Sequence, residues 1–324
     1  MASIKYSNCY INDYYTIAGP MEKNGQIKTY DETLDDYYFG EKTFENAEIK
    51  MQKSSIKNIL IRNRLEKSNI DLAVGGDLFD QIAITSKAFE NTEIPFLGTY
   101  SACATFVENL LIACNMLSTR YIKKTLVVTS SHNLTAEKQF RYPIEYGAVK
   151  YKANTFTATG AACALVSNDI SKIKVESSTI GKIINMGIKD VNNMGAVMAP
   201  AAANTIITHL KETKRTIDYY DVVLTGDLGE VGVKILKEYL EVNHNIKMKN
   251  HMDAGENIYN KEQDINSGAS GPISLPLVLF NKVLKNKKYK KILLVATGSL
   301  HTPTLINQKN SIGAIAHAVS LEVI

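Results

Sequence analysis

The chain has 324 residues, 45% of them hydrophobic and 22% charged, with a formal net charge of +4. That length suits two fused units of roughly 150 residues each, and the composition is that of an ordinary globular protein able to bury a large core. The small net charge, with no basic stripe interleaved with aromatics, gives nucleic-acid binding no support.

The four cysteines, Cys9, Cys103, Cys114 and Cys163, show neither metal-ligand spacing nor a disulfide framework. No signal-peptide pattern opens the chain, and no apolar run reaches the ~18 residues of a membrane span. The expectation is a soluble chain in a reducing compartment, with any membrane attachment made through a partner.

In chain order, residues 43–66 read as a helix with Ile49, Ile56, Ile59 and Leu60 apolar. Asp71 to Leu78 is a short apolar run ending in Gly76-Asp77-Leu78, the pattern of a buried strand feeding a loop. Next comes Tyr100-Ser101-Ala102-Cys103-Ala104-Thr105, a strand-to-helix corner of small residues that lets the chain turn sharply and a ligand approach the backbone. The helix after it shows a 3.6-residue apolar period at Val107, Leu110, Leu111, Cys114 and Leu117. Cys103 would sit at that helix's N-terminal end, where free N–H groups favour anions and thiolate. The corner therefore suits a nucleophile or an anion site, whereas Cys114 and Cys163 read as inert packing. Thr125 to Ser130 is a further strand, and His132 follows it.

The later chain repeats the earlier one. Asp221 to Leu228 matches Asp71 to Leu78, Ile292 to Gly298 resembles Thr125 to Ser130, and Asn266 to Ala269 precedes a helix as Tyr100 to Cys103 does. The three segments keep their order, which argues for duplication. Pro200 to Lys211 and Val231 to Leu240 read as helices. Strands alternating with helices imply a mostly parallel sheet in each half, with helices sandwiched between the sheets. The halves are expected to be residues 1–169, carrying Cys103 and the His132–Tyr146 segment, and residues 170–324.

Ser101 to Thr105 before an apolar helix resembles the nucleophile corner of thiolases and ketoacyl synthases, and Thr157 to Leu165 resembles their Gly-Ala-rich strand. A longer set of motifs resembles the stage V sporulation protein AD family of endospore-forming bacteria: Gly76-Asp77-Leu78, Pro95 to Thr105, Thr129 to Asn133, Gln139 to Pro143, Met198 to Ala203 and Ala296-Thr297-Gly298. The resemblance spans essentially the whole chain. It implies a thiolase fold and binding of pyridine-2,6-dicarboxylate (dipicolinate) for its uptake into the forespore, with release in germination as a further role. It also implies other SpoVA-complex proteins as partners, some membrane-spanning, and a place in the forespore or spore at the inner membrane. Thiolase relatives pair through the sheet of the first half, so a homodimer is implied as well.

Condensing enzymes of this fold add His/His or His/Asn partners from the second half, because the thiol needs a base and the oxyanion needs donors. Here Asp227 stands where a histidine is wanted, and an aspartate raises the thiol pKa instead. Asn266 falls near the second partner position; His301 and His317 are the candidates for a substitute. The expectation is a broken catalytic set with Cys103 as a vestigial nucleophile. The alternatives are an acyltransferase using Cys103, or a scaffold with a vestigial site.

For a flat dicarboxylate, Arg141 offers two hydrogen bonds, and Phe140 or Tyr142 a ring to stack on. The helix start at Ala104 and Thr105 offers N–H groups. His132 and Asn133 complete the expected site beside Cys103. No cofactor is expected. Asp77 and Asp227, at equivalent strand ends, are candidates for Ca²⁺ carried in as the dipicolinate chelate; capping a helix or ordering a loop is their other reading.

Overall fold

In the computed structural model, which describes residues 2–140 and 151–324, the aspartates that open the two repeated runs do the same job. Asp71 Oδ2 accepts the backbone N–H groups of Lys123 and Lys124 at 2.8 and 2.9 Å, and Asp221 Oδ2 accepts those of Lys290 and Lys291 at 2.6 and 2.8 Å. Each carboxylate thereby ties the start of one strand to the start of its neighbour.

The main strands fall into two sets. The first is β1 (Tyr10–Ala18), β2 (Leu72–Asp77), β3 (Phe96–Gly98), β4 (Lys124–Ser131) and β5 (Gly160–Ser167). The second is β6 (Ile173–Thr179), β7 (Val222–Thr225), β8 (His251–Asp253), β9 (Lys291–Leu300) and β10 (Gly313–Val323). The spatial orders are β3-β2-β4-β5-β1 and β8-β7-β9-β10-β6, the same permutation twice. In each set the second, third and fourth strands are parallel, and the fifth runs antiparallel to both neighbours. Two such repeated sets are a duplicated thiolase fold. The sets are also hydrogen-bonded to each other, because β1 meets β6 at Tyr10–Lys174 and Ile11–Ile173.

Among the helices are α1 (Phe44–Arg62), α2 (Thr105–Ser118), α3 (Asn133–Phe140), α4 (Met194–Thr213), α5 (Gly229–His244) and α6 (Ser274–Val278). Thr43 caps α1, its Oγ1 accepting the N–H of Asn46 at 3.2 Å. Met51, Ile56, Ile59 and Leu60 form its buried stripe, with Ile56, Ile59 and Leu60 packing on β2, β4 and β5. The helix stops at Arg62, short of the expected 66, because the chain turns left-handed at Arg64 (φ 54°). Helix α2 is buried nearly all round, with Phe106, Val107, Leu110, Cys114 and Leu117 at 0% exposure. It lies between the two strand sets together with α6 and the turn after it; Phe106 meets Phe280 edge-on at 5.8 Å. Each such fully buried large side chain contributes about 1.5–3 kcal/mol.

Helices α4 and α5 cover the outer face of the second set. Helix α4 starts six residues before Pro200, at Met194, where Asn193 Oδ1 accepts the N–H of Ala196 at 3.2 Å. The sequence reading began it at Pro200, a common first-turn residue. The structure carries the proline inside the helix, flanked by the buried Ala199, Ala201, Ala202 and Ala203. Among the described residues, no helix is long and apolar enough to cross a membrane.

Candidate functional site

The C-terminal ends of β2, β7 and β9 converge on the corner between β3 and α2. Ala102 is left-handed there (φ 51°), a conformation that costs a non-glycine residue roughly 1–2 kcal/mol. Residues Ala102–Ala104 form one tight 3₁₀ turn before α2 begins. Two close approaches hold the corner. A Cβ at Gly76 would overlap the carbonyl oxygen of Thr99, and one at Gly298 would overlap that of Ser101. The glycines of the Gly-Asp-Leu and Ala-Thr-Gly motifs thus let two strand ends press against the corner's backbone. Thr105 Oγ1 donates to the carbonyl of Ala102 at 2.6 Å and accepts the N–H of Ser101 at 3.1 Å.

Cys103 emerges from this corner into a cavity of ≈60 Å³. Phe140, Asp227, Ser270, Ser299 and His301 line it with Cys103, and Tyr100, Met194 and Met198 add to its wall. Asp227 is buried. Its Oδ2 accepts the N–H of Gly271 at 3.0 Å, its Oδ1 accepts the hydroxyl of Thr297 at 3.2 Å, and it accepts the Cys103 thiol. Burial pushes the Asp227 carboxyl up to about 7, and Asp253 nearby adds to the rise against these three bonds. Burial raises the Cys103 thiol well above its ordinary value, and Asp227 raises it further. The helix start was expected to favour thiolate; desolvation and the facing carboxylate outweigh it. A carboxyl near 7 cannot hold a proton taken from a thiol so much less acidic, so the proton stays on sulfur.

The expected site residues separate. Phe140 shares the cavity with Cys103. Ala104 is buried under the corner and Thr105 spends its hydroxyl on it. His132 is fully buried elsewhere, with Nε2 on the carbonyl of Tyr37 at 2.9 Å and Nδ1 accepting the N–H of Leu134 at 3.2 Å. Its ring lies between Tyr37 and Phe44, and burial lowers its pKa to about 4. It braces the start of α3 and does not line the cavity. Asn133 likewise binds backbone, its Nδ2 donating to the carbonyl of Thr157 at 3.3 Å. Arg141 and Tyr142 lie outside the described residues.

Asp77 orders the loop after β2, accepting the N–H of Phe79 and both the N–H and hydroxyl of Thr85. Its repeat-mate Asp227 does not cap. Asp253 takes that role, accepting the N–H groups of Leu228 and Gly229 at 3.1 Å each as α5 begins. Among the described residues, no three His, Cys, Asp or Glu side chains are grouped to hold a metal ion.

Of the three candidate partners for Cys103, only His301 reaches the cavity. Asn266 is exposed, and His317 is buried with Nδ1 accepting the N–H of Gly181 at 3.2 Å. Sequence reasoning missed Ser299 and the Ser270–Gly271 turn. One signal was available. Side chains alternate along a strand, so Thr297 and Ser299 at the end of β9 turn the same way, toward Asp227 and Cys103, and His301 follows just beyond the strand.

A model of the family "Stage V sporulation protein AD (SpoVAD)" matches residues 3–322. The chain is 39% identical over 317 residues to the stage V sporulation protein AD of Bacillus subtilis (strain 168), covering 97% of this chain and 94% of that protein. Among solved structures it resembles 3-oxoacyl-[acyl-carrier-protein] synthase III of Aquifex aeolicus VF5, at TM-score 0.56 and 16% identity over 99% of both chains. It also resembles cerulenin-bound OleA of Xanthomonas, at TM-score 0.58 and 15% identity over 98% of both. A synthase III from Xanthomonas oryzae pv. oryzae gives TM-score 0.59 and 15% identity over 98% of this chain and 100% of that one. At these identities the structural likeness establishes the shared thiolase fold.

Proposed function

The chain belongs to the stage V sporulation protein AD family, and from that premise we propose that it binds dipicolinate in the Cys103 cavity without catalysing acyl transfer. The observation that carries the non-catalytic half is the Cys103–Asp227 contact. A buried carboxylate stands where a base and an oxyanion donor are needed, and it keeps the thiol protonated. The observation that supports ligand binding is the open cavity at the strand ends, with an aromatic wall at Phe140 and N–H and hydroxyl groups around it.

In this reading the protein acts in dipicolinate uptake into the forespore and in its release in germination. It works beside membrane-spanning SpoVA-complex proteins, peripherally at the inner membrane of the forespore or spore, and pairs as a homodimer. The ligand enters free or as its Ca²⁺ chelate.

Calorimetric titration of dipicolinate, with and without Ca²⁺, tests the binding half; one-site saturation is the expected result, and no heat under either condition sinks it. Intact-mass measurement after incubation with acyl thioesters tests the other half. An acyl adduct on Cys103 would instead support the acyltransferase reading, which the partial exposure of Cys103 and the fold of its structural relatives favour.

A further inference from the structure

We infer that His301 is the side chain of the cavity that grips a carboxylate of the bound ligand. This rests on the reading of the cavity as a dicarboxylate site and names a residue that reading leaves unassigned.

Among the described residues that line the cavity there is no lysine or arginine, and Asp227 is acidic. Among those described residues His301 is the one whose side chain offers a nitrogen donor, and burial lowers its pKa so that it enters as the neutral imidazole. A carboxylate entering beside Asp227 needs a donor, and a hydrogen bond in which one partner is ionised, here the ligand's carboxylate, is stronger than a neutral one. His301 is placed for it. It follows the last residue of β9 directly and lines the cavity beside Ser299. Its Nδ1 is held by Ser299 Oγ at 3.2 Å. Its Nε2 has no partner among the described residues. The ring of Phe140 lies 5.4 Å away, tilted by 41°, so an aromatic wall and a nitrogen donor adjoin each other. A flat aromatic dicarboxylate needs that combination: a surface for the ring and a donor for the carboxylate in reach of it. The sulfur of Cys103 and the carboxyl of Asp227 close the far side and offer an anion nothing while Asp227 is ionised.

The experiment is titration of dipicolinate into wild type, His301→Ala and His301→Gln, with melting curves to establish that the variants fold. It is paired with imidazole ¹⁵N spectra of the wild type. The expected result is affinity weakened more than about tenfold in His301→Ala, with a smaller loss in His301→Gln, which keeps a neutral donor. The imidazole signal missing from the His301→Gln spectrum is the one expected to move most when dipicolinate is added. Wild-type binding with that signal unmoved, or with affinity unchanged in the alanine variant, overturns the assignment and leaves the dicarboxylate reading standing. Failure of the wild type itself to bind overturns both.

Discussion

Replacing Asp227 by asparagine isolates the interaction that sets the chemistry of Cys103. The amide keeps the size of the carboxyl; its single oxygen still accepts from Gly271 while its NH2 turns to donate to the Thr297 hydroxyl, and it carries no charge to oppose a thiolate. At thiol–carboxylate hydrogen-bond range, roughly 4 Å, two unit charges interact by about 4 kcal/mol at an effective dielectric of ~20. One pKa unit is about 1.4 kcal/mol, so losing the charge lowers the thiol pKa by up to about three units. Burial remains, so the thiol stays less acidic than a free cysteine. Alkylation follows the thiolate fraction, and iodoacetamide labelling of Cys103 at pH 8 should speed up by about tenfold or more in Asp227→Asn. Cys9, Cys114 and Cys163 are each buried to 1% exposure or less and serve as internal references in the same mass spectrum. A folded variant whose Cys103 labels no faster than wild type would show that desolvation alone, and not the carboxylate, holds the thiol protonated.

Gly298→Ala drives a methyl into the Ser101 carbonyl; a loss of about 1–3 kcal/mol in urea denaturation is expected, and an unchanged midpoint would show that the corner yields freely. His132→Ala removes two buried hydrogen bonds and should cost about 1–3 kcal/mol of stability. Dipicolinate affinity of the folded variant should be unaltered, since His132 lies off the cavity; a large affinity loss would place it in the site after all. Stability should fall as pH rises from 6.5 to 8.5. Glu22 and Asp227 are both pushed up to about 7, chiefly by burial. Carboxyls raised in the folded state contribute fully below about pH 4 and lose that contribution as pH passes through their folded values. The denaturation midpoint at pH 8.5 should lie below that at 6.5, and Glu22→Gln should narrow the gap; a midpoint that rises with pH refutes the assignment.

The sequence by itself determined the duplication and the corner. Both are written in short-range patterns: Asp71 and Asp221 opening matched runs, small residues around Cys103, and the apolar period of α2; that α2 is buried nearly all round was decided by the tertiary structure. The sequence also led to the expectation of a missing base, because residue type at a strand end is local information. What it could not decide was which equal-looking residues do equal work. Gly76-Asp77-Leu78 and Gly226-Asp227-Leu228 read alike, yet Asp77 orders its own loop while Asp227 turns to Cys103 and leaves the start of α5 to Asp253. His132 follows its strand as suggestively as His301 follows β9, but only His301 reaches the cavity. The partners that separate these look-alikes include distant ones: Cys103 for Asp227, Tyr37 for His132 and Phe140 for His301. The choice between capping, bracing and facing a ligand is therefore made by tertiary packing and not by neighbours in the chain.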